Sequence, residues 1–524
     1  MSVAPGFAPR LLPARLAVEA SFPRQGYAHA RDTIRVRTRT SLNRSIATKI
    51  NEAVAESHFA CTWLTSTPEQ ITLDDILSSC PNPSSGLYGD HAQVILVTPA
   101  FARWADPKSP FLEQWMNQFS NRDVPSSVGE PVHAVIAVVD RLPGGDKSMA
   151  ESEGLSMLFV RSENIQGKPI ASRQGRSAER EEPTIKFSFL ESVASQEAMR
   201  PHLHEVGLRL AKTIFINGKE NTLFGTRWAY DASAGKLGLK ESVDLSLCSI
   251  TVNHTGLQKS LELPLYPVGE RRKVINSMGN ILRQIGKHAD GKSDEPMPAS
   301  SELEKELPRY IDEHNIADRR VSVWALIETS VESPYSKSKH SQSDLAKSIQ
   351  AGAKLHRVMS GGGGWGKKQG LLSLDPEISF EEAGKEGVAA LSSVFSDNAQ
   401  HATHEAIPAF EQRMFMEDLS TLSQAAEPGD YVQFFASIEQ DEPPKTQKTH
   451  PPVSEGSILY NFGVVSDAEA LPSQIEQQRD LAVVPNHFGA ISEKAITYLQ
   501  PVDDVYESRT KIDVPGSRVV LTLS

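Results

Sequence analysis

The chain has 524 residues, a formal net charge of -12, 39% hydrophobic and 23% charged residues, a globular composition long enough for two or three domains of roughly 100–200 residues each. No stretch reaches the roughly 20 uninterrupted apolar residues that a membrane-spanning helix needs, so no membrane span is expected. The three cysteines, Cys61, Cys80 and Cys248, are too few and too widely spaced for a disulfide scaffold or a zinc site, and a reducing or neutral compartment fits them.

Charge is unevenly spread. Residues 1–50 carry eight arginines and Lys49 against Glu19 and Asp32, a balance of +7 that leaves -19 for the remainder. An arginine-rich, acid-poor start resembles a mitochondrial presequence. Pro5, Pro9 and Pro13 weaken its amphipathic helix, and a basic arm without targeting function is the other reading. From residue 57 the pattern turns globular. Apolar runs at 59–64, 92–98, 132–139 and 155–160 have the length and the Pro, Gly and Asp boundaries of strands covered on both faces, with helices expected at 73–79 and 110–119. Residues 161–183, rich in Arg, Ser, Glu and Gly, read as a loop.

A helix is expected over 189–212, then a hairpin signalled by Asn217-Gly218, then strands at 224–230 and 243–252. In the last of these Cys248, Ile250 and Val252 share one face. Val274, Met278, Ile281 and Ile285 stand at three- and four-residue steps, and predict a helix over 269–286. The polar stretch 287–300 reads as a linker, dividing an N-terminal α/β domain (57–287) from a C-terminal α+β domain (301–524). Beyond it come a capping box at Ser301 and Glu304, a strand at 321–327, a helix over 344–359, helical stretches at 380–396 and 407–422, and strands at 431–438, 457–465 and 519–523. The fold class expected is α/β or α+β, with mixed sheets and covering helices.

The site prediction rests on residues 361–370, Gly-Gly-Gly-Gly-Trp-Gly-Lys-Lys-Gln-Gly. Each glycine costs roughly 0.5–1 kcal/mol more than alanine to order, and the run sits in a window, 345–374, that contains no acidic residue. Gly361, Gly362, Gly363, Gly364 and Gly366 would bring backbone amides close to an anion; Trp365 would stack on a base; Lys367 and Lys368, with Lys354 and Arg357, would supply charge. A helix C-cap and tight turn, with Trp365 buried as a core anchor, accounts for the same residues without a ligand. The spacing of Gly361, Gly366 and Lys367 also fits a nucleotide-hydrolase phosphate loop. Lys368, however, stands where a magnesium-binding hydroxyl is required, and the surroundings lack the strand before and helix after.

The stretch 361–376 resembles a segment of fungal mitochondrial proteins associated with the mitochondrial ribosome and expression machinery, which implies a matrix protein working with RNA. The order of the runs at 94–101, 132–139 and 154–160 is similar to that of FIST sensory domains, which implies binding of a small ligand. No cofactor or catalytic residue is expected from either resemblance. His401, His404 and Glu405, like His202, His204 and Glu205, lack metal-site spacing. The leading expectation is a non-enzymatic mitochondrial matrix protein holding RNA or a phosphate-bearing ligand. A small-ligand sensor is the alternative, and an enzyme acting on a phosphorylated substrate the third.

Overall fold

A computed structural model describes residues 58–81, 91–120, 131–144, 151–170, 182–191, 202–289, 294–316, 320–329, 341–361, 370–379, 387–396, 424–438, 457–466, 480–502 and 506–523. Strands hold 53% of these residues and helices 17%, an α+β protein with mixed sheets. In chain order, β1 (Phe59–Thr65), α1 (Leu73–Ser78), β2 (His91–Val97), α2 (Pro110–Ser120), β3 (Val132–Val138), β4 (Glu153–Arg161), β5 (Ile165–Pro169), β6 (Thr184–Glu191) and β7 (Leu203–Arg209) are followed by α3 (Ile214–Asn217), β8 (Leu223–Asp231), β9 (Lys236–His254) and β10 (Leu257–Glu262). The hairpin β11 (Tyr266–Met278) and β12 (Ile281–Gly286), with β13 (Pro296–Pro298), leads to α4 (Ser301–His314), β14 (Val321–Glu328), α5 (Gln342–Gln350), β15 (Lys354–Gly361) and β16 (Leu372–Leu374). The chain closes with β17 (Ala389–Ala390), α6 (Leu391–Val394), β18 (Tyr431–Ile438), β19 (Ile458–Val464), β20 (Ala482–Pro485), β21 (His487–Ser492), β22 (Ile496–Pro501), β23 (Glu507–Ile512) and β24 (Arg518–Leu523).

The largest sheet runs β20-β1-β4-β2-β3-β8-β9-β6-β7-β22-β23, with β5 and β17 joined through β9. The second sheet is β10-β24-β19-β21 and the third β11-β18-β14-β15-β16-β12-β13. Each takes strands from both sides of residues 287–300, the stretch expected to be a linker, which here leads through β13 back onto β12. Residues 52–524 form one compact unit.

Alternation explains how the layers stack. In β2, Ala92, Val94 and Leu96 pack toward the second sheet with Phe462, Phe488 and Val519. Ile95 and Val97 face the other way, onto Trp63, Phe111 and Trp115 beneath α2. Trp115 is fully buried because its indole Nε1 donates to Gln93 Oε1 at 2.8 Å, so its one polar atom is satisfied. A third core lies between the third sheet and α4, around Leu303, Ala325 and Phe434.

Several expected helices are strands. Residues 189–212 contain the end of β6 and all of β7, in which Phe187 and Phe189, then Val206 and Leu208, are buried at steps of two. In 269–286 the helix-like spacing has another origin. Val274 pairs with Ile285 and Met278 with Ile281 across a hairpin, so residues placed symmetrically about the turn at Gly279 (φ 60°) mimic a helical stripe. The helix expected over 344–359 stops at Gln350; the chain turns at Gly352 (φ 101°) and continues as β15. The Asn217-Gly218 pair ends the single turn α3, with Gly218 left-handed, instead of making a hairpin. The loop expected over 161–183 contains β5, and the helix expected at 380–396 shortens to α6 among its described residues. The capping box expected at Ser301 and Glu304 does not form: Ser300 stands at the N-cap of α4 without a side-chain bond to a backbone amide, and its hydroxyl donates instead to Glu304 Oε1 at 2.7 Å. Residues 407–422 lie outside the described residues.

Candidate functional site

The glycine-rich segment joins two strands of one antiparallel pair, β15 and β16, with Gly361 opposite Leu372. A strand therefore precedes the run where a helix was expected, and a strand follows it; the helix C-cap reading fails with the first, and the phosphate loop's following helix is missing. Residues 362–369, which include Gly362, Gly363, Gly364, Trp365, Gly366, Lys367 and Lys368, lie outside the described residues. The two flanking glycines have packing reasons. A Cβ on Gly361 would lie 2.2 Å from Leu372 Cδ2, and Gly370, at φ +82°, would bring one 2.5 Å from Pro298 Cβ. Both glycines press against this protein's own side chains.

Of the cations named with that loop, Arg357 stands 5.5 Å over the Trp324 ring and donates to Ser322 Oγ at 3.3 Å, while Lys354 lies opposite Ile327 on β14. One carboxylate from outside the 345–374 window comes close enough to interact with one of its cations, Asp513 with Arg357. Asp513 accepts from Trp324 Nε1 at 2.7 Å, and Lys511 Nζ lies 2.5 Å from Asp375 Oδ2 and 2.8 Å from Glu377 Oε2. Burial raises the Asp513 carboxyl above its usual range, against the opposing pull of Trp324, Lys511 and Arg357.

A different place gathers polar groups from several segments. Strands β2 and β3 are parallel neighbours flanked by antiparallel β4 and β8, and a crevice lies beyond their carboxyl ends. Pro99 follows β2, Asp140 and Arg141 follow β3, Glu153 opens β4, Leu210 to Lys212 follow β7, Ile216 comes from α3, and Glu493 and Lys494 lie in the turn between β21 and β22. Together these residues line a cavity of about 340 Å³.

The crevice is fixed by main-chain bonds. Thr98 N donates to Gly154 O at 3.1 Å and Gly154 N to Thr98 Oγ1 at 2.9 Å, which ties the end of β2 to the start of β4. No side chain fits at Gly154, where a Cβ would stand 1.9 Å from Trp63 O. Ala211 N donates to Val138 O at 3.0 Å, and Arg141 and Ile491 exchange backbone bonds of 3.2 and 3.0 Å.

Charge in the crevice is paired but uneven. Arg141 bonds Glu153, which also accepts from Ala100 N at 3.2 Å. Glu182 receives both Lys212 and Lys494 at 2.7 Å, so two ammonium groups share one carboxylate. Burial works against the Glu182 anion, but these two lysines outweigh it and bring its carboxyl down to about 2. Asp140 has the opposite balance. Burial, its largest influence, lifts the carboxyl to about 6, with the Glu493 charge adding to the rise, despite the hydrogen bond from Glu493 N at 2.8 Å and the nearby Lys494. Asp140 thus changes charge close to neutral pH inside a concave, mostly prepaired surface.

Nothing in the residue pattern pointed to this crevice, because its lining comes from separated positions with no shared motif. Of the histidines with near-miss metal spacing, His401 and His404 lie outside the described residues, and His202 and His204 belong to the β7 segment, where His204 Nδ1 contacts Tyr498 Oη at 3.1 Å. Among the described residues no group of three or more His, Cys, Asp and Glu side chains is placed to hold a metal ion. All three cysteines are free, and burial pushes the Cys61 and Cys80 thiols up to about 12. No described helix is long and apolar enough to cross a membrane. Comparison with protein-family models, with curated proteins and with solved structures finds no match.

Proposed function

We propose that the protein binds a small polar ligand in the crevice at the carboxyl ends of β2 and β3, in the manner of a sensor. The convergence of Asp140, Arg141, Glu153, Lys212 and Lys494 on one cavity carries this reading. The lining alternates sign and includes Leu210, Ala211 and Ile216, which suits a compact molecule with both donors and acceptors and an apolar side better than a polyanion. Thermal unfolding in the presence of a panel of small polar metabolites tests it: a ligand at 100 times its Kd adds about 2.7 kcal/mol of stability. Lys494→Ala should abolish that stabilisation while leaving the fold intact, since its side chain is 37% exposed. Stabilisation that survives Lys494→Ala, or none from any compound, defeats the proposal.

A second reading keeps residues 362–369 as a holder of RNA or a phosphate-bearing ligand in mitochondrial gene expression, with association to the mitochondrial ribosome. It is favoured by the acid-free sequence of 345–374 and by the basic segment 1–50. Binding to RNA should then fall steeply with salt and vanish in a Lys367→Ala/Lys368→Ala protein, and the endogenous protein should fractionate with the matrix. Affinity that is flat between about 50 and 200 mM salt would exclude it.

A further inference from the structure

We infer that the ligand of the crevice is a compact amine: an ammonium group docks on Asp140 beside Glu493, and an oxygen of the same molecule accepts from Lys494. This narrows the crevice reading proposed above and rests on it. Charge around the cavity is already committed. Arg141 bonds Glu153. Lys212 and Lys494 each stand 2.7 Å from Glu182, which Arg209 also approaches at 3.6 Å. Each cation that lines the cavity therefore holds a carboxylate, and that carboxylate is not Asp140.

Asp140 is left with neutral donors. Its Oδ2 accepts from Glu493 N at 2.8 Å, and the Ser492 hydroxyl is the other donor beside it. Among the described residues neither Asp140 nor Glu493 has a cation at ion-pair distance, and Lys494 acts on Asp140 only from farther off. Two neighbouring carboxylates on the wall of a cavity, both without a counter-charge, call for a cation from outside the chain. Lys494 adds the second half of the recognition, because an ammonium has three N–H donors and Glu182 need not take them all.

The occupant is organic. Among the described residues no group of three or more His, Cys, Asp and Glu side chains is placed to hold a metal ion. The same cavity has an apolar wall of Pro99, Leu210, Ala211 and Ile216, which only a carbon-bearing cation would cover. At about 340 Å³ it lies near the small end of ligand sites, roughly 300–1,000 Å³, and suits an amino alcohol or an amino acid with a short aliphatic body.

Binding should depend on pH through Asp140. Burial lifts its carboxyl to about 6, whereas an alkylammonium stays charged throughout the neutral range. The charged groups around Asp140 are Arg141 beside it, Glu153 from β4, Lys212 from the segment after β7, and Glu493 and Lys494 from the turn between β21 and β22. None of them is a histidine, the side chain that ordinarily titrates there. The free protein then offers about a tenth as many ionised Asp140 carboxylates at pH 5 as at pH 7.5.

Calorimetric titration of the full-length protein tests this with probes matched except at nitrogen: leucinol against 4-methylpentane-1,2-diol, alaninol against propane-1,2-diol, and leucine against 2-hydroxy-4-methylpentanoate. At least one amine should bind, with its oxygen counterpart at least tenfold weaker. Its affinity should fall about tenfold from pH 7.5 to 5, and binding at pH 6 should release about half a proton, read from buffers of different ionisation enthalpy. Asp140→Asn should remove both the binding and the proton release. Its thermal melt at each pH shows that the variant is folded. Amine binding that is flat with pH, releases no proton or survives Asp140→Asn overturns the inference. Oxygen counterparts that bind as well as the amines, and lose binding in Lys494→Ala, also overturn it but leave the crevice reading standing. If no probe of either kind binds, the inference falls, and the crevice reading is then judged by its own wider panel.

Discussion

Asp140→Asn should make the unliganded protein more stable at neutral pH, and the gain should itself depend on pH. The carboxyl rises from an ordinary 3.8 to about 6 on folding, chiefly through burial. At 1.36 kcal/mol per tenfold change in acidity, this gap corresponds to at most ~3 kcal/mol. Water reaching the half-buried group reduces that to about 1–3 kcal/mol. The sign follows from linkage. Below pH 3.8 Asp140 is protonated in both the folded and the unfolded chain and costs nothing; between 3.8 and about 6 the unfolded chain releases its proton first, so folding grows less favourable as pH rises; above about 6 the whole penalty is present. Asparagine keeps an oxygen that can accept from Glu493 N but carries no charge to desolvate. In matched thermal melts the difference, variant minus wild type, should be near zero at pH 4, climb through pH 6 and level off above pH 7 at about 1–3 °C, since a unit of this size has an unfolding entropy near 1 kcal/mol per degree. A difference independent of pH, or a less stable variant at pH 7.5, would mean that Lys494 and Arg141 already satisfy the Asp140 charge, and the electrostatic account of the crevice would be wrong.

Other substitutions probe different parts of the fold. Glu205 is nearly sealed among Lys186 at 3.0 Å, Arg509 at 3.2 Å and Ser188 Oγ at 3.1 Å, so Glu205→Ala should cost about 3–5 kcal/mol in urea unfolding by removing a buried anion from its ion-pair network; a loss under about 1 kcal/mol would contradict this. Gly154→Ala should prevent accumulation of soluble protein or lower its melting temperature sharply, because its Cβ would collide with Trp63 O. Gly235→Ala, at φ +66° with nothing within 4 Å, should cost only about 1 kcal/mol of backbone strain. Equal effects at the two positions would rule out the close approach as the cause. Burial lowers the His58 and His487 imidazoles to about 4 and His204 to about 3. Their contribution is complete above the free value of 6.5 and is lost as pH falls below it, because the unfolded chain takes up protons that the folded one refuses. His487→Gln should therefore flatten the decline of stability between pH 6.5 and 4, and an unchanged slope would show that His487 is protonated in the folded protein.

The strands β1, β2, β3 and β4 were legible in the sequence because both of their faces are buried, and a short continuous apolar run such as 92–98, bounded by polar residues and proline, suits little besides a strand covered on two sides. Helices α1 and α2 lie where helices were expected, at 73–79 and 110–119, and Thr72 and Asp75 form the capping box of α1. Local pattern failed where two structures share a spacing: Val274, Met278, Ile281 and Ile285 suit one face of a helix and also the facing sides of a hairpin, and only the partners β18 and β16 settle the choice. The crevice was out of reach for a further reason. Residues near 99, 140, 153, 211 and 494 meet only after the large sheet has assembled. The acid-free window was equally a property of the chain alone, since folding sets Asp513, far off in the sequence, near Arg357. Hydrophobic periodicity acts between near neighbours and can be read along a sequence. Charge acts across a few ångströms of space, whatever the separation in sequence, and so only the tertiary structure decided which anions the cations meet.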